Sequence, residues 1–229
     1  MSITSLTERI SELIERNEFC RLGEALENGE NVSVDGVFGG GCAFVAAGIK
    51  RHISRSLLVV RALPETIDST ADDLLLFTGQ QVLTFPPLET LNINELVGDD
   101  LFGQRTRLLK TLDTDSAQSA NAIIVTSISA LMQPVPSREL LRERSRTLQT
   151  GDTLDLELFV AWLVEGGYHP MPAIDLPGEF ARRGHLLDIF APDWEQPIRI
   201  EFFGDEIESI RTFDLATQRS LETVKSVTL

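Results

Sequence analysis

The stretch Ile198-Arg-Ile-Glu-Phe-Phe-Gly-Asp-Glu-Ile-Glu-Ser-Ile-Arg211 decides the fold of the second half of the chain. Apolar and polar residues alternate in it, as in strands with one buried face, and Gly204-Asp205 is typical of a hairpin turn. A helix predicted over 154–165 can cover such a sheet with its apolar side. Strands are predicted over 186–190, 198–203, 207–213 and 224–229. We therefore expect residues 134–229 to form a smaller α+β domain with an antiparallel sheet.

The strand over 198–203 presents two different faces. The face expected to pack on the helix is apolar and consists of Ile198, Ile200 and Phe202. Arg199, Glu201 and Phe203 share the opposite face. A phenylalanine beside an arginine on a polar face is a good anchor for a protein partner, because aromatic and Arg residues dominate binding hot spots. The sequence leaves open the alternative that Phe203 is covered by another part of its own domain.

A pair of arginines, Arg182-Arg183, precedes Gly184 and the strand that begins at Leu186. Paired arginines near a turn are commonly solvated and without a specific role. If they lie near Arg199, they extend a cationic site for the carboxylates of a partner.

Short strand-like segments alternate with helical segments in the first half of the chain. The strands are predicted over 31–35, 56–62, 82–85 and 122–127. Alternation of this kind is typical of an α/β fold, in which helices cover both faces of a parallel sheet. Pro134-Val-Pro136 interrupts the pattern, so we predict a first domain over 1–133 and a boundary at residue 134.

Residues Gly36-Val-Phe-Gly-Gly-Gly-Cys-Ala43 keep the frame of a phosphate-binding loop, G-x-x-x-x-G-K-[ST], through Gly36 and Gly41. Cys42 replaces the lysine that neutralises phosphates, and Ala43 replaces the hydroxyl that binds Mg²⁺. We therefore predict a degenerate, non-functional P-loop, with no ATP hydrolysis by this chain and no cofactor. A strand-to-helix turn kept for its glycine geometry alone would have the same sequence. The rival interpretation is a working ATPase.

The chain is acidic, with a formal net charge of −15 from 20 basic and 35 acidic residues. Binding of nucleic acid by charge requires a Lys/Arg surface, so we expect a protein partner and no direct DNA binding. Cys20 and Cys42 form neither a disulfide framework nor a metal site, and the three scattered histidines show no catalytic pattern. No apolar run suggests a membrane span or a signal peptide, so we expect a cytoplasmic location.

Three segments carry a resemblance to a known family. They are G-E-F-A-R-R-G-H-L-L-D-I-F at 178–190, P-I-R-I-E-F-F-G-D-E-I-E-S-I-R at 197–211 and F-D-L-A-T-Q-R-S-L at 213–221. The chain resembles the UvrB-homology module at the N-terminus of the bacterial transcription-repair coupling factors, over nearly its whole length. UvrB itself keeps an intact phosphate loop and a long Tyr-rich hairpin, whereas this chain has one tyrosine, Tyr168.

The resemblance implies a degenerate helicase-like domain followed by a UvrA-binding domain. The family's UvrA contacts fall on Arg183, Arg199 and Phe203, which match in residue type. It also implies that a longer protein uses an ATP-driven translocase on double-stranded DNA to displace stalled RNA polymerase, and recruits UvrA for nucleotide excision repair. The translocase domain and the domain that binds RNA polymerase are not expected within the 229 residues. The alternative is a UvrB-like domain that itself binds ATP or DNA.

Overall fold

The computed structural model describes residues 12–13, 15–89, 100–113 and 121–229. Contacts divide the chain into two compact units. The first comprises the described residues of 1–87 and 111–133, and the second those of 88–110 and 134–229. Across these described ranges, no helix is long and apolar enough to cross a lipid bilayer.

A three-stranded parallel sheet forms the centre of the first unit. Its strands are β1 (Leu57–Arg61), β2 (Val82–Phe85) and β3 (Ile123–Ser127), in the order β1-β3-β2. Every residue of the central strand β3 is buried, including Thr126 and Ser127 after the apolar run over 123–125. The predicted parallel sheet is therefore confirmed in this unit.

Three helices accompany this sheet: α1 (Asn17–Glu27), α2 (Gly40–His52) and α3 (Ile67–Thr78). A 3₁₀ turn over Pro64–Thr66 leads into α3, which ends at Gly79 with a φ of 65°. The core joins α2 and α3 to one sheet face through Ala43, Ala47, Ile67, Ala71, Leu74, Ile123 and Val125.

Two predictions for the first unit are wrong. Residues 31–35 form no strand, and Val32 and Val34 are exposed, because alternation alone does not supply a neighbouring strand to pair with. The described residues also do not cover both faces of the sheet along β1, where Leu58 and Val60 remain 51% and 43% exposed.

The second unit contains a six-stranded sheet in the order β10-β9-β8-β7-β6-β5. Its strands are β5 (His169–Pro170), β6 (Glu179–Arg183), β7 (Leu186–Phe190), β8 (Ile198–Phe203), β9 (Glu206–Phe213) and β10 (Ser220–Val224). Neighbours are antiparallel except β5 and β6. A separate antiparallel pair joins β4 (Thr147–Gln149) to β11 (Ser226–Thr228). The predicted antiparallel sheet is confirmed.

Helix α7 (Leu156–Glu165) covers one face of the six-stranded sheet, as predicted. Phe159 and Leu163 are fully buried in the core that it shares with β6 to β9. The carboxylate of Asp155 caps the helix by accepting hydrogen bonds from the backbone N–H groups of Glu157 and Leu158, both at 3.0 Å. The remaining helices are α4 (Asp100–Asp113), which has 14 residues, and the shorter α5 (Ile128–Leu131) and α6 (Arg138–Arg144).

Helix α4 is fixed to the second unit by a close backbone contact. A methyl group added to Gly103 would lie 2.0 Å from the carbonyl oxygen of Pro192, so only glycine permits this approach. The Lys110 ammonium forms an ion pair with Asp193 at 2.8 Å, and Arg107 Nε donates a hydrogen bond to the Asp193 carbonyl oxygen at 2.8 Å. These contacts accompany the assignment of residues 100–110, which lie between β2 and β3 in the sequence, to the second unit.

Candidate docking site

Two hairpins of the six-stranded sheet turn at the same end. Gly184 lies between β6 and β7, and Gly204 lies between β8 and β9, each with a φ of 63°. A glycine with positive φ at the first turn position is typical of tight two-residue hairpins. Because β6 and β8 run in the same direction, their last residues, Arg183 and Phe203, both lie at this turn end of the sheet.

The pairing register places the predicted site residues on one face. Arg183 lies opposite Leu186, which lies opposite Glu201, and directly opposite residues share a face. Arg199 and Phe203 share this face with Glu201, because side chains alternate along β8. We call the face that carries Arg183, Arg199 and Phe203 the docking face.

The Phe203 ring is exposed. Its exposed fraction is 79%, whereas its neighbour Phe202, which points to the α7 side, is 3% exposed. The alternative that Phe203 is covered by another part of its own domain is therefore wrong for the described residues. A large exposed aromatic side chain on a sheet face is a candidate anchor for a partner.

Arg199 is not a free cation. Its Nε donates to Asp188 Oδ1 at 2.7 Å and its Nη2 donates to Asp188 Oδ2 at 2.8 Å, a bidentate pair with a carboxylate that is 2% exposed. The guanidinium carbon lies 4.7 Å from the centre of the Phe213 ring. The hydrogen bond to Asp188 raises the pKa of Arg199. Arg199 also lies four residues back from Phe203, about 13 Å along the strand.

Arg183 and Arg182 point to opposite faces. The side chain of Arg183 is exposed and forms no hydrogen bond or ion pair with any residue that the structure describes. Arg182 lies opposite the core residue Leu187, and its Nη1 is 2.7 Å from Glu157 Oε1 on α7. Only Arg183 therefore extends the docking face.

Sequence reasoning missed the partner of Arg199. Asp188 is the one carboxylate in the apolar strand L-L-D-I-F, and a buried acid requires a charged or hydrogen-bonding partner. That isolated position is the signal that would have predicted a buried ion pair. The choice of Arg199 depends on the register between β7 and β8, which places the two residues opposite each other.

A second polar cluster surrounds Glu201 on the same face. The Glu201 carboxylate lies 3.8 Å from Arg211 Nη2 and 3.9 Å from His185 Nε2, and it accepts a hydrogen bond from the Ser209 hydroxyl at 3.3 Å. The charge of Glu201 is thus balanced within the face itself.

The glycine loop leads into α2 without the strand that precedes a working phosphate loop. Gly36 and Gly39 have φ values of 77° and 53°, and α2 begins at Gly40. The Cys42 thiol donates to the carbonyl oxygen of Val37 at 3.7 Å. Ala43 is 2% exposed and belongs to the core, so a hydroxyl at this position would point into apolar side chains.

A carboxylate borders the start of α2. A methyl group on Gly40 would lie 3.0 Å from Asp73 Oδ2, so the acid of α3 sits beside the first turn of the helix. Helix N-termini attract anions through their unpaired N–H groups and dipole. The protein's own negative charge therefore lies close to where a phosphate would bind.

The sequence of the chain matches one known protein family and several known proteins. Residues 147–229 match the family described as the UvrB interaction domain. The transcription-repair-coupling factor of Myxococcus xanthus is 32% identical over 218 residues, which cover 92% of this chain and 18% of that protein. Those of Mycobacterium bovis and Escherichia coli are 40% and 30% identical, over 76% and 88% of this chain and 14% and 17% of their own lengths.

The chain belongs to the transcription-repair coupling factor family. It spans less than a fifth of the length of these coupling factors. The UvrB interaction domain match includes Arg183, Arg199 and Phe203 and every strand of the six-stranded sheet. UvrA contact by these three residues stays a prediction, as do the boundary at residue 134 and the absence of catalytic residues, metal and cofactor in this coupling-factor segment.

Proposed function

We propose that the second unit docks UvrA through the docking face, and that the first unit is a non-catalytic scaffold. One observation carries the proposal: at the turn end of the sheet, the exposed Phe203 ring and the exposed Arg183 guanidinium share a face. The match of residues 147–229 to a UvrB interaction domain supports UvrA as the partner.

The two side chains have complementary roles in this proposal. Phe203 buries its ring in an apolar pocket of UvrA, and burial of an aromatic ring is a common source of hot-spot energy. Arg183 is free to form a bidentate pair with a carboxylate, because no described residue already holds its guanidinium. Arg199 contributes indirectly: its ion pair neutralises Asp188 and holds β7 and β8 in register.

The first unit supports this role without chemistry of its own. Cys42 and Ala43 offer neither a cation nor a metal ligand, and Asp73 lies beside the first turn of α2. In the whole protein, segments outside this chain form an ATP-dependent translocase that moves on double-stranded DNA and displaces RNA polymerase stalled at lesions. The docking face then recruits UvrA for nucleotide excision repair in the cytoplasm.

The test is a binding titration of the purified chain with UvrA, using Arg183→Ala and the matched control Arg182→Ala. We expect Arg183→Ala to weaken binding about tenfold, because it removes a charge-assisted contact. Arg182→Ala lies on the opposite face and should change the dissociation constant less than about twofold. Equal effects of the two variants, or no binding by the unmodified chain, would contradict the proposal.

A further inference from the structure

The charges of the docking face fall into two groups. One group is neutralised inside the protein: Arg199 by Asp188, and Glu201 by Arg211 with His185 nearby. The second group lies at the turn end. There Arg183 at the end of β6 and Glu206 at the start of β9 are both exposed, and neither side chain has a hydrogen bond or ion pair with a described residue.

Glu206 lies next to the proposed anchor. It is the cross-strand partner of Phe203, so the two side chains share a face. Directly opposite residues have Cβ atoms about 5 Å apart. The turn residue Asp205, which precedes Glu206 in the chain, is a second exposed carboxylate. Arg183 lies three strands away, at a distance of about 14 Å across the sheet.

We infer that Glu206 is a specificity-determining residue, and that the partner presents a cation to Glu206, a pocket to Phe203 and a carboxylate to Arg183. The inference rests on the proposed docking role of this face. A pocket that covers Phe203 also removes water from Glu206, and a carboxylate that loses water needs a cation or donors in return. The partner surface is therefore bipolar rather than uniformly acidic.

The separation of the two charges has a consequence for orientation. A partner with a cation and a carboxylate about 14 Å apart fits this face in one orientation, since the reversed orientation brings like charges together at both ends. The Phe203 pocket supplies affinity, and the two flanking charges select the partner and its register. Replacement of Glu206 by a lysine reverses one end of this pattern.

The experiment is a titration of the whole chain with UvrA by calorimetry at two salt concentrations. The variants are Glu206→Gln and Glu206→Lys, with Glu222→Lys on β10 as the control, because Glu222 is also an exposed strand carboxylate. We expect Glu206→Lys to weaken binding about tenfold or more, Glu206→Gln to weaken it about threefold, and Glu222→Lys to change it less than about twofold. Added salt should reduce the difference between the first two variants.

The outcomes separate this inference from the proposed function. Phe203→Ala is titrated in the same experiment. If it weakens binding and Glu206→Lys leaves binding unchanged or strengthens it, the partner surface opposite Glu206 carries no cation and this inference is overturned alone. If the unmodified chain does not bind UvrA, both are overturned. Thermal melting of each variant shows whether it is folded, and Glu206→Gln provides a second variant of nearly unchanged shape.

Discussion

Phe202 and Phe203 are identical in chemistry and opposite in role, because adjacent side chains on β8 point to opposite faces. Phe203→Ala should weaken UvrA binding at least about tenfold and leave the melting temperature nearly unchanged, since its ring is 79% exposed. Phe202→Ala, the matched control, should lose about 3–5 kcal/mol of stability by emptying a core position. Calorimetric titration and thermal melting measure the two effects. A large fall in melting temperature for Phe203→Ala would place its ring in a core.

Arg199 lies on the docking face and also forms a buried ion pair, so a loss of binding in an Arg199 variant can result from a loss of stability. Arg199→Ala leaves the Asp188 carboxylate buried without its cation, and we expect a loss of about 3–5 kcal/mol in the free energy of unfolding. Urea denaturation measures this loss. Arg182→Ala, which removes an exposed pair with Glu157, should cost less than about 1 kcal/mol.

A compensating change distinguishes the buried pair from other roles of Arg199. Replacing both partners, in Arg199→Met with Asp188→Leu, should recover most of the stability that Arg199→Ala loses, because no buried charge remains. If Arg199→Ala is as stable as the unmodified chain, the pair with Asp188 contributes nothing and Arg199 is available to a partner.

The face assignment of single residues could be predicted from the sequence, and their partners could not. Alternation along β8 is enough to place Arg199 and Phe203 on one face, opposite the apolar face formed by Ile198, Ile200 and Phe202. The pair between Arg199 and Asp188 depends on cross-strand register, which a strand pattern does not specify without its neighbour. For the same reason, the sequence alone did not predict which of Arg182 and Arg183 lies on the docking face, because this depends on the register between β6 and β7.

Helix α2 shows why restoring a motif does not restore a site. In Cys42→Lys with Ala43→Thr, the new hydroxyl enters a core position, and Asp73 still lies beside the first turn of the helix. We expect no Mg-ATP binding at millimolar concentration and a loss of about 1–3 kcal/mol from overpacking. Calorimetry with Mg-ATP and a thermal melt test both. Submillimolar binding by this variant would show that the loop has kept a phosphate site.

Elements with strong apolar patterns could be predicted, and weakly apolar ones could not. The strand predictions over 186–190 and 198–203 coincide with β7 and β8, and the buried strand β3 lies within its predicted range. Strand β6 was not predicted, because only Phe180 and Ala181 of its five residues are apolar and it ends in two arginines. The pattern at 31–35 resembles a strand, but a strand forms only where a neighbour accepts its hydrogen bonds.

The net charge of −15 predicts that the chain alone does not bind duplex DNA. An electrophoretic mobility shift with duplex DNA at about 50 mM salt should show no complex at micromolar chain concentration, because an acidic surface releases no phosphate counterions. UvrA added to the same DNA serves as the positive control. A salt-sensitive shift by the chain alone would indicate a local basic surface in spite of the acidic net charge, and it would favour the DNA-binding alternative.

The division into two kinds of sheet could be predicted from the sequence, but the membership of one segment could not. Composition predicts a boundary at Pro134-Val-Pro136, and this boundary stays a prediction. The described residues of 88–110, however, lie with the second unit although strands of the first unit flank them in the chain. The contact of Gly103 with Pro192 depends on a close approach between distant segments, which local periodicity does not encode.

The two neighbouring hairpin turns have a practical consequence for protein engineering. Everything from Arg183 to Glu206 comes from one uninterrupted run of chain. The four strands β6 to β9 follow one another in the chain, and helix α7, which covers their reverse side, precedes them, so we expect residues 156–213 to be the smallest segment that can be grafted as one insertion. We expect such a graft, if it folds, to carry the docking face apart from the rest of this chain.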